Sequence, residues 1–423
     1  MIQRIKNNAF ARNSAILFAG SMVGNVLNYA FHLIAGRMIS VQVYGEVESL
    51  VSLMNIISVP AMTLAMVATK YAAHCKADDD KSGSYEILKY LNKKVFTYGL
   101  PIFLLALFTS PMISHFLNIK SSVPLVIIWI SMFFSFLVAV NSGMLNGWQK
   151  FKDVSMLGIW GTVAKLISMI VLVKLSFGLN GIVGSFMLGA VASYIASLGM
   201  LKFLTHEKEE CGHDKHENLV DYASMKKYIV PVFFGSLAIS MMGNIDMVIA
   251  KHNLDALTAG QYGALTIVAK IIFFATGVIG SVLFSMSAGD HHKKSNSRKV
   301  LKNASMLMAV VCLAAIGVYA IIPGQILALL FGNKYASVAS YLVWFAIMVT
   351  FYSFVNMLYS YLLSVNKTGI SYLLLVISMI ALISLLFFGT SIKAIVGIIS
   401  IAQIAAILAG LFLLFDNPRI IKT

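Results

Sequence analysis

Asn28 to Gly45 reads NYAFHLIAGRMISVQVYG, and Asp246 to Gly263 reads DMVIAKHNLDALTAGQYG. In each, an apolar helix runs into a short polar turn holding one Lys or Arg, and Tyr-Gly opens the next apolar run. The two Tyr-Gly steps stand 218 residues apart. Working outward, FLNIKSSVPLVIIW (Phe116 to Trp129) is echoed by FGNKYASVASYLVW (Phe331 to Trp344) at an offset of 215, and Gln149-Lys150 by Asn366-Lys367 at 217. Three markers at nearly one offset, about half of the 423 residues, indicate two related halves. A repeat fixes the architecture before any single residue is weighed.

The apolar runs between the markers decide the class. The chain is 59% hydrophobic and 12% charged, against about 25% charged for a soluble domain. Ser49 to Thr69, Val95 to His115, Leu175 to Leu201, Thr368 to Ile392 and Ala394 to Phe415 contain no Asp, Glu, Lys or Arg. Each is long enough for a helix to cross a hydrocarbon layer, which takes about 20 residues. They show no alternation at period 2, so a transmembrane barrel is excluded. The expected fold is all-α and integral to the membrane: twelve transmembrane helices in two related six-helix bundles. The expected spans are roughly 14–36, 47–69, 95–115, 122–147, 154–174, 176–201, 228–250, 258–287, 303–322, 337–362, 370–388 and 394–415. The expected domains are an N-terminal bundle over 1–201, a cytoplasmic linker over 202–227 and a C-terminal bundle over 228–423. The run from Ser14 to Gly36 is too long for a signal-peptide core and reads as a retained first span.

The net charge of +15 raises nucleic acid as a partner, and its placement argues against it. With these spans, connections on the side of the amino terminus carry 24 Lys and Arg, the opposite side 6, and Lys165 and Lys270 lie within spans. By the positive-inside rule both termini are cytoplasmic, and the basic residues face an anionic leaflet. The linker contains His206, Cys211, His213 and His216, a spacing that fits no zinc pattern; it reads as a solvated linker, as does the His291-His292 pair. The three cysteines, Cys75, Cys211 and Cys312, form no disulfide framework. No metal, cofactor or catalytic constellation is expected, and no Walker A sequence is present.

Ionisable groups deep in apolar spans are the strongest residue-level signal. A charge at the bilayer centre costs roughly 2.5–3.5 kcal/mol on insertion scales, so it turns toward a cavity or a partner. Lys165 lies mid-way along span five, Lys270 mid-way along span eight and Asp246 in the outer third of span seven. Two readings stay open: Asp246 pairs with Lys270 for packing, or the lysines line a polar cavity and meet an anionic substrate. Arg37, Glu46 and Glu48 read as charges at the outer mouth between spans one and two. Asn25, Asn28, His32, Asn141 and Asn146 are polar positions in apolar runs. Trp129, Trp148, Trp344, Tyr335 and Tyr341 fall near span ends, where an aromatic belt accounts for them. Pro60 should kink span two, and its counterpart region in span eight holds Gly277 and Gly280; all three are hinge candidates, with static kinks as the alternative. Gly20, Gly24, Gly178, Gly181 and Gly184 read as packing glycines.

AGRMISVQVYGEVESL after the first span, and IDMVIAKHNLDALTAGQYGALTIVAKI across spans seven and eight, resemble the polysaccharide and O-antigen flippases of the multidrug/oligosaccharidyl-lipid/polysaccharide exporter superfamily. The resemblance covers essentially the whole chain; order and spacing carry it, the motifs themselves being short. It implies that the two six-helix bundles surround a central cavity with alternating access, a bacterial inner or plasma membrane, and a substrate of oligosaccharide on an undecaprenyl diphosphate anchor. It also implies a polysaccharide polymerase and chain-length machinery as further partners. Arg37, Asp246 and Lys270 match positions where the family carries charge; Lys165 is proposed from this sequence alone. The alternatives are a cation-coupled drug or metabolite exporter of the same superfamily and, more remotely, an integral glycosyltransferase or polymerase. Cation-coupled exporters often place an acidic residue in span one, and this chain has none there.

Overall fold

The computed structural model describes residues 9–205, 222–289, 294–365 and 367–415. His206, Cys211, His213, His216 and the His291-His292 pair lie outside them, so the greater part of the expected linker is not described. Among the described residues the chain is helical and contains no strand. In order come α1 (Ala9–Met38), α2 (Val41–Ile57), α3 (Val59–Ala77), α4 (Lys81–Lys94), a π turn (Val95–Gly99), α5 (Leu100–Phe116), α6 (Val123–Gly147), α7 (Phe151–Lys174) and α8 (Gly178–Met200). After the short Lys202–Thr205 helix follow α9 (Tyr222–Met242), α10 (Ile245–Asn253), α11 (Ala256–Gly289), α12 (Lys294–Ile321), α13 (Pro323–Phe331), a 3₁₀ segment (Asn333–Tyr341), α14 (Leu342–Ser364), α15 (Ile370–Phe388) and α16 (Ile392–Phe415).

Ten of the described helical stretches are long and apolar enough to cross a membrane. An eleventh is added if α9 and α10, bent by 43° at Gly243-Asn244, form one span. The count is therefore ten or eleven against the twelve expected from sequence. The protein is a multi-pass membrane protein with the expected helical architecture.

Two compact units form. The first comprises 1–39 and 57–222, the second 40–56 and 223–423. Residues 40–56 fell in the N-terminal bundle of the sequence reading, yet they pack in the second unit. The reason is steric. A Cβ on Gly45 of α2 would stand 2.7 Å from the Gly260 amide nitrogen of α11, and one on Gly260 would overlap the Val41 carbonyl. Glycine on glycine lets the two backbones touch. Beside this crossing Tyr44, fully buried, meets the rings of Phe331 and Tyr335 at 5.5 and 6.2 Å. Tyr262, equally buried, meets Phe345 at 4.8 Å. The repeated Tyr-Gly step thus pairs a large ring with a backbone that others can approach.

The turns follow local chemistry. Ser40 Oγ accepts from the Val43 amide to start α2, and Asp255 accepts from the Leu257 and Thr258 amides at 3.0 and 3.1 Å to start α11. The Gln149-Lys150 marker closes α6: Gln149 takes φ 58°, and the Lys150 amide reaches back to the Leu145 carbonyl. Its echo makes the same bond, Lys367 amide to Leu362 carbonyl. The Thr258 hydroxyl, then the Thr258 amide, hold the Asp255 carboxyl below its ordinary pKa. The cap is therefore fully present above the ordinary carboxylate range and is lost as pH falls through the lowered pKa. Asp255→Ala should cost about 0.5–1 kcal/mol at neutral pH, the low end of capping effects because the group is exposed. A thermal melt at pH 7 and pH 2 checks this: the deficit should shrink at the lower pH.

In the first unit α6 crosses α3 where Cβ atoms on Gly143 and Gly147 would meet Ala65, Ala68, Thr69 and Ala72. Asn141 donates to Ser197 Oγ at 2.7 Å, binding α6 to α8. Of the glycines expected to pack, Gly20 abuts Ser155 and Gly181 abuts Leu172, while Gly24 faces open space. Trp129 and Trp148 are not belt residues: both are buried, and their indoles donate to Ser110 and Ser84.

Candidate functional site

The deep lysines fall in different units, and each sits in its own polar cluster. In the first unit, Lys165 on α7 donates to Asn28 Oδ1 of α1 at 2.5 Å. Its ammonium also lies 4.5 Å from the Phe31 ring and 4.7 Å from the Phe186 ring, a cation–π pocket. Phe31 is fully buried and stacks edge-on against Phe186 and His32. Gly161 and Gly189 bring α7 and α8 together beside it; a Cβ on Gly189 would stand 2.9 Å from Lys165 Cβ. The base of the lysine is thus packed against the α8 backbone, and its head is held by Asn28 and the two rings.

In the second unit, Lys270 on α11 donates to Asn244 Oδ1 at 3.3 Å. Asn244 opens α10 at the bend, accepts from Asn55 Nδ2 of α2 at 3.0 Å and donates to the Ser240 carbonyl. Ser240 returns a bond to the Asn55 carbonyl. Asp246, 2% exposed, accepts from the Tyr262 hydroxyl at 2.8 Å. Its other oxygen has no hydrogen-bond partner among the described residues. Asp246 and Glu48 both act electrostatically on Lys270, but no carboxylate lies within ion-pair distance of that lysine among the described residues.

Packing therefore does not occur through a direct Asp246–Lys270 ion pair: Asp246 is held by Tyr262 and Lys270 by Asn244. Glu48, read from sequence as a charge at the outer mouth, is 3% exposed and packs its stem against Gly263. Lys251, counted among the outer-side charges, is 2% exposed. Arg37 is exposed at the end of α1. Pro60 lies midway along the single apolar stretch Val41–Ala77, directly after the interruption at Ser58 that separates α2 from α3. α11 runs on through Gly277 and Gly280, and a Cβ on Gly277 would meet nothing within 4 Å.

Sequence reasoning missed Asn55 and Asn244, and marked Tyr262 only as part of the repeated Tyr-Gly step, not as the partner of Asp246. The Gly243-Asn244 dipeptide was the available signal for Asn244, because such a pair inside an apolar run marks a break.

The clusters sit on a fold shared with solved transporters. An inward-facing multidrug resistance MATE family transporter of the MOP superfamily superposes with TM-score 0.69 at 14% identity, covering 94% of this chain and 96% of its own. The lipid II flippase MurJ in an inward closed conformation gives 0.70 at 15%, covering 95% and 88%. A MOP superfamily transporter from Pyrococcus furiosus gives 0.62 at 16%, covering 95% and 94%. Among curated proteins, none matches the chain in sequence. The polysaccharide biosynthesis protein family model matches residues 10–288, two thirds of the chain. With the repeated Tyr-Gly turns, the helical architecture and that match together, the chain belongs to the polysaccharide biosynthesis protein family.

Proposed function

We propose that the protein is a flippase that moves undecaprenyl-diphosphate-linked oligosaccharide from the cytoplasmic to the outer leaflet by alternating access, for surface polysaccharide assembly. The family match carries this reading, and the likeness to the MurJ lipid II flippase accords with it. The chemistry of the clusters accords as well. A diphosphate is a dense anion on an apolar tail, and cations held deep in apolar helices suit it. In this reading the diphosphate meets Lys165 in the first unit and Lys270 in the second during transit. Asp246 tunes Lys270, and Arg37 meets the anion at the end of α1. Pro60, Gly277 and Gly280 are the proposed hinges. A downstream polymerase and its chain-length machinery consume the product.

Deletion should leave lipid-linked oligosaccharide accumulating on the inner face with surface glycan lost. The MATE-like fold favours one second reading, drug export. A deletion strain that still displays its glycan yet becomes sensitive to cationic dyes would establish that reading and end the first. The proposed location is a bacterial inner or plasma membrane with both termini cytoplasmic. Reporter fusions after Lys120 and Lys334 should report the outer side; a cytoplasmic signal at either breaks the topology.

A further inference from the structure

The first unit carries an apolar groove that the clusters above do not use. It lies between α3, the π turn with α5, and α6, with a volume of about 300 Å³. Pro60, Val95, Ile102, Trp129 and Phe133 line it, and Lys94 and Tyr98 stand at one end. Its shape comes from two interruptions. Pro60 follows the break at Ser58, and the π turn precedes Pro101, whose missing N–H opens the ladder.

The depth of Lys94 can be read from length. The helical stretch Lys81–Phe116 has 36 residues, about 54 Å, far more than the ~30 Å hydrocarbon layer. Its lysines, Lys81, Lys89, Lys93 and Lys94, all precede the uncharged run that starts at Val95. The hydrocarbon boundary therefore falls at Lys93-Lys94, the level of lipid phosphates. From Lys94 the groove follows the helix to Ala106, about 18 Å, or a little more than one leaflet. The Lys94 ammonium is 5.2 and 5.3 Å from the Tyr90 and Tyr98 ring centres. No carboxylate pairs with it among the described residues.

We propose that this groove binds one anionic glycerophospholipid, its phosphate at Lys94 between Tyr90 and Tyr98 and one acyl chain lying along α5 to Trp129. A single unpaired cation matches a single phosphodiester, and a net negative headgroup leaves it no competing ammonium. A groove one leaflet deep matches one acyl chain, whereas a long polyprenyl chain overruns it. The bound chain lies against Pro60. This inference does not depend on what the protein transports.

The full-length protein in phosphatidylcholine nanodiscs, doped with phosphatidylglycerol carrying a photoreactive mid-chain diazirine, tests it. Adducts should map by peptide mass spectrometry to residues 99–106 and 129–136. Lys94→Gln should lower their yield about fivefold, the worth of one lysine near an anionic surface, and leave labelling by a phosphatidylcholine probe unchanged. Gly99→Leu should abolish them. A Cβ at 99 makes only ordinary contacts, 3.7 Å from Val95 and 3.9 Å from Phe133, so the variant folds with its side chain in the groove; an unchanged elution profile verifies this. Equal labelling by both lipid probes, adducts spread over the other exposed helices, or full displacement of the probe by equimolar undecaprenyl phosphate would each overturn the proposal.

Discussion

Replacing both Lys165 and Lys270 with Ala should cut glycan export about a hundredfold while leaving the protein in the membrane at normal abundance. Each lysine makes a charge-assisted contact, for which roughly 1.5–3 kcal/mol is typical; tenfold per site is the lower end, at about 1.4 kcal/mol per tenfold. Abundance is expected to hold because removing the charge also removes the cost of keeping it deep in the protein. Lys-to-Arg should retain more activity than Lys-to-Ala at both sites, and at Lys165 the two rings suit a guanidinium as well. Asp246→Asn is informative beside these. Its amide oxygen can still accept from Tyr262, and Glu48 remains to act on Lys270. Abundance should therefore survive, alone or with Lys270→Met, and the double variant should be folded and inactive. Full export by the double Lys-to-Ala variant at normal abundance would end the substrate role of the lysines.

Gly260→Val should remove most folded protein from the membrane. Its Cβ would overlap the Val41 carbonyl, which is backbone and cannot swing aside. Separating α2 from α11 also loosens the rings around Tyr44. Overpacking of this kind costs about 3 kcal/mol or more, a large part of the stability of a typical domain. Gly277→Val on the same helix is the control, because nothing lies within 4 Å of its Cβ. Melting temperature and detergent-resistant yield should fall for the first and hold for the second. If the control keeps its yield but loses transport, the hinge role proposed for Gly277 gains support; unchanged transport removes it.

The class of fold was legible because it rests on length and charge: uncharged runs of about 20 residues admit few solutions. The repeat was legible because each marker is local turn chemistry. Gln149-Lys150 and Lys367 close helices with the same backward bond. Lys165, Lys270 and Asp246 could be picked out because a charge in an apolar run stands alone in one dimension. Their partners could not. Asn28 lies 137 residues from Lys165, and Asn55 lies 189 from Asn244; no spacing rule joins such positions. Glu48 was misread for a related reason. Its neighbours in sequence place it near a mouth, whereas its surroundings are supplied by Gly263 and by α11. The groove at Pro60 was invisible since it needs two helix interruptions from separate spans to come side by side.

The placement of α2 bears on how the protein is made. Gly45 emerges from the ribosome about 215 residues before Gly260, the backbone it must touch. Until then Tyr44 has neither Phe331 nor Tyr335 to cover it. Synthesis runs at about 5–20 residues per second, so this segment waits some ten seconds or longer in the bilayer with its crossing glycine and buried carboxylate unmatched. The first unit can close around α3 and α6 early, but the second completes only after the chain is nearly finished. Long-range closure of this kind is slow and exposed to misassembly. A protein cut at the 202–227 connection would therefore not yield two self-sufficient pieces, because the carboxyl-terminal piece lacks a helix that the amino-terminal piece carries.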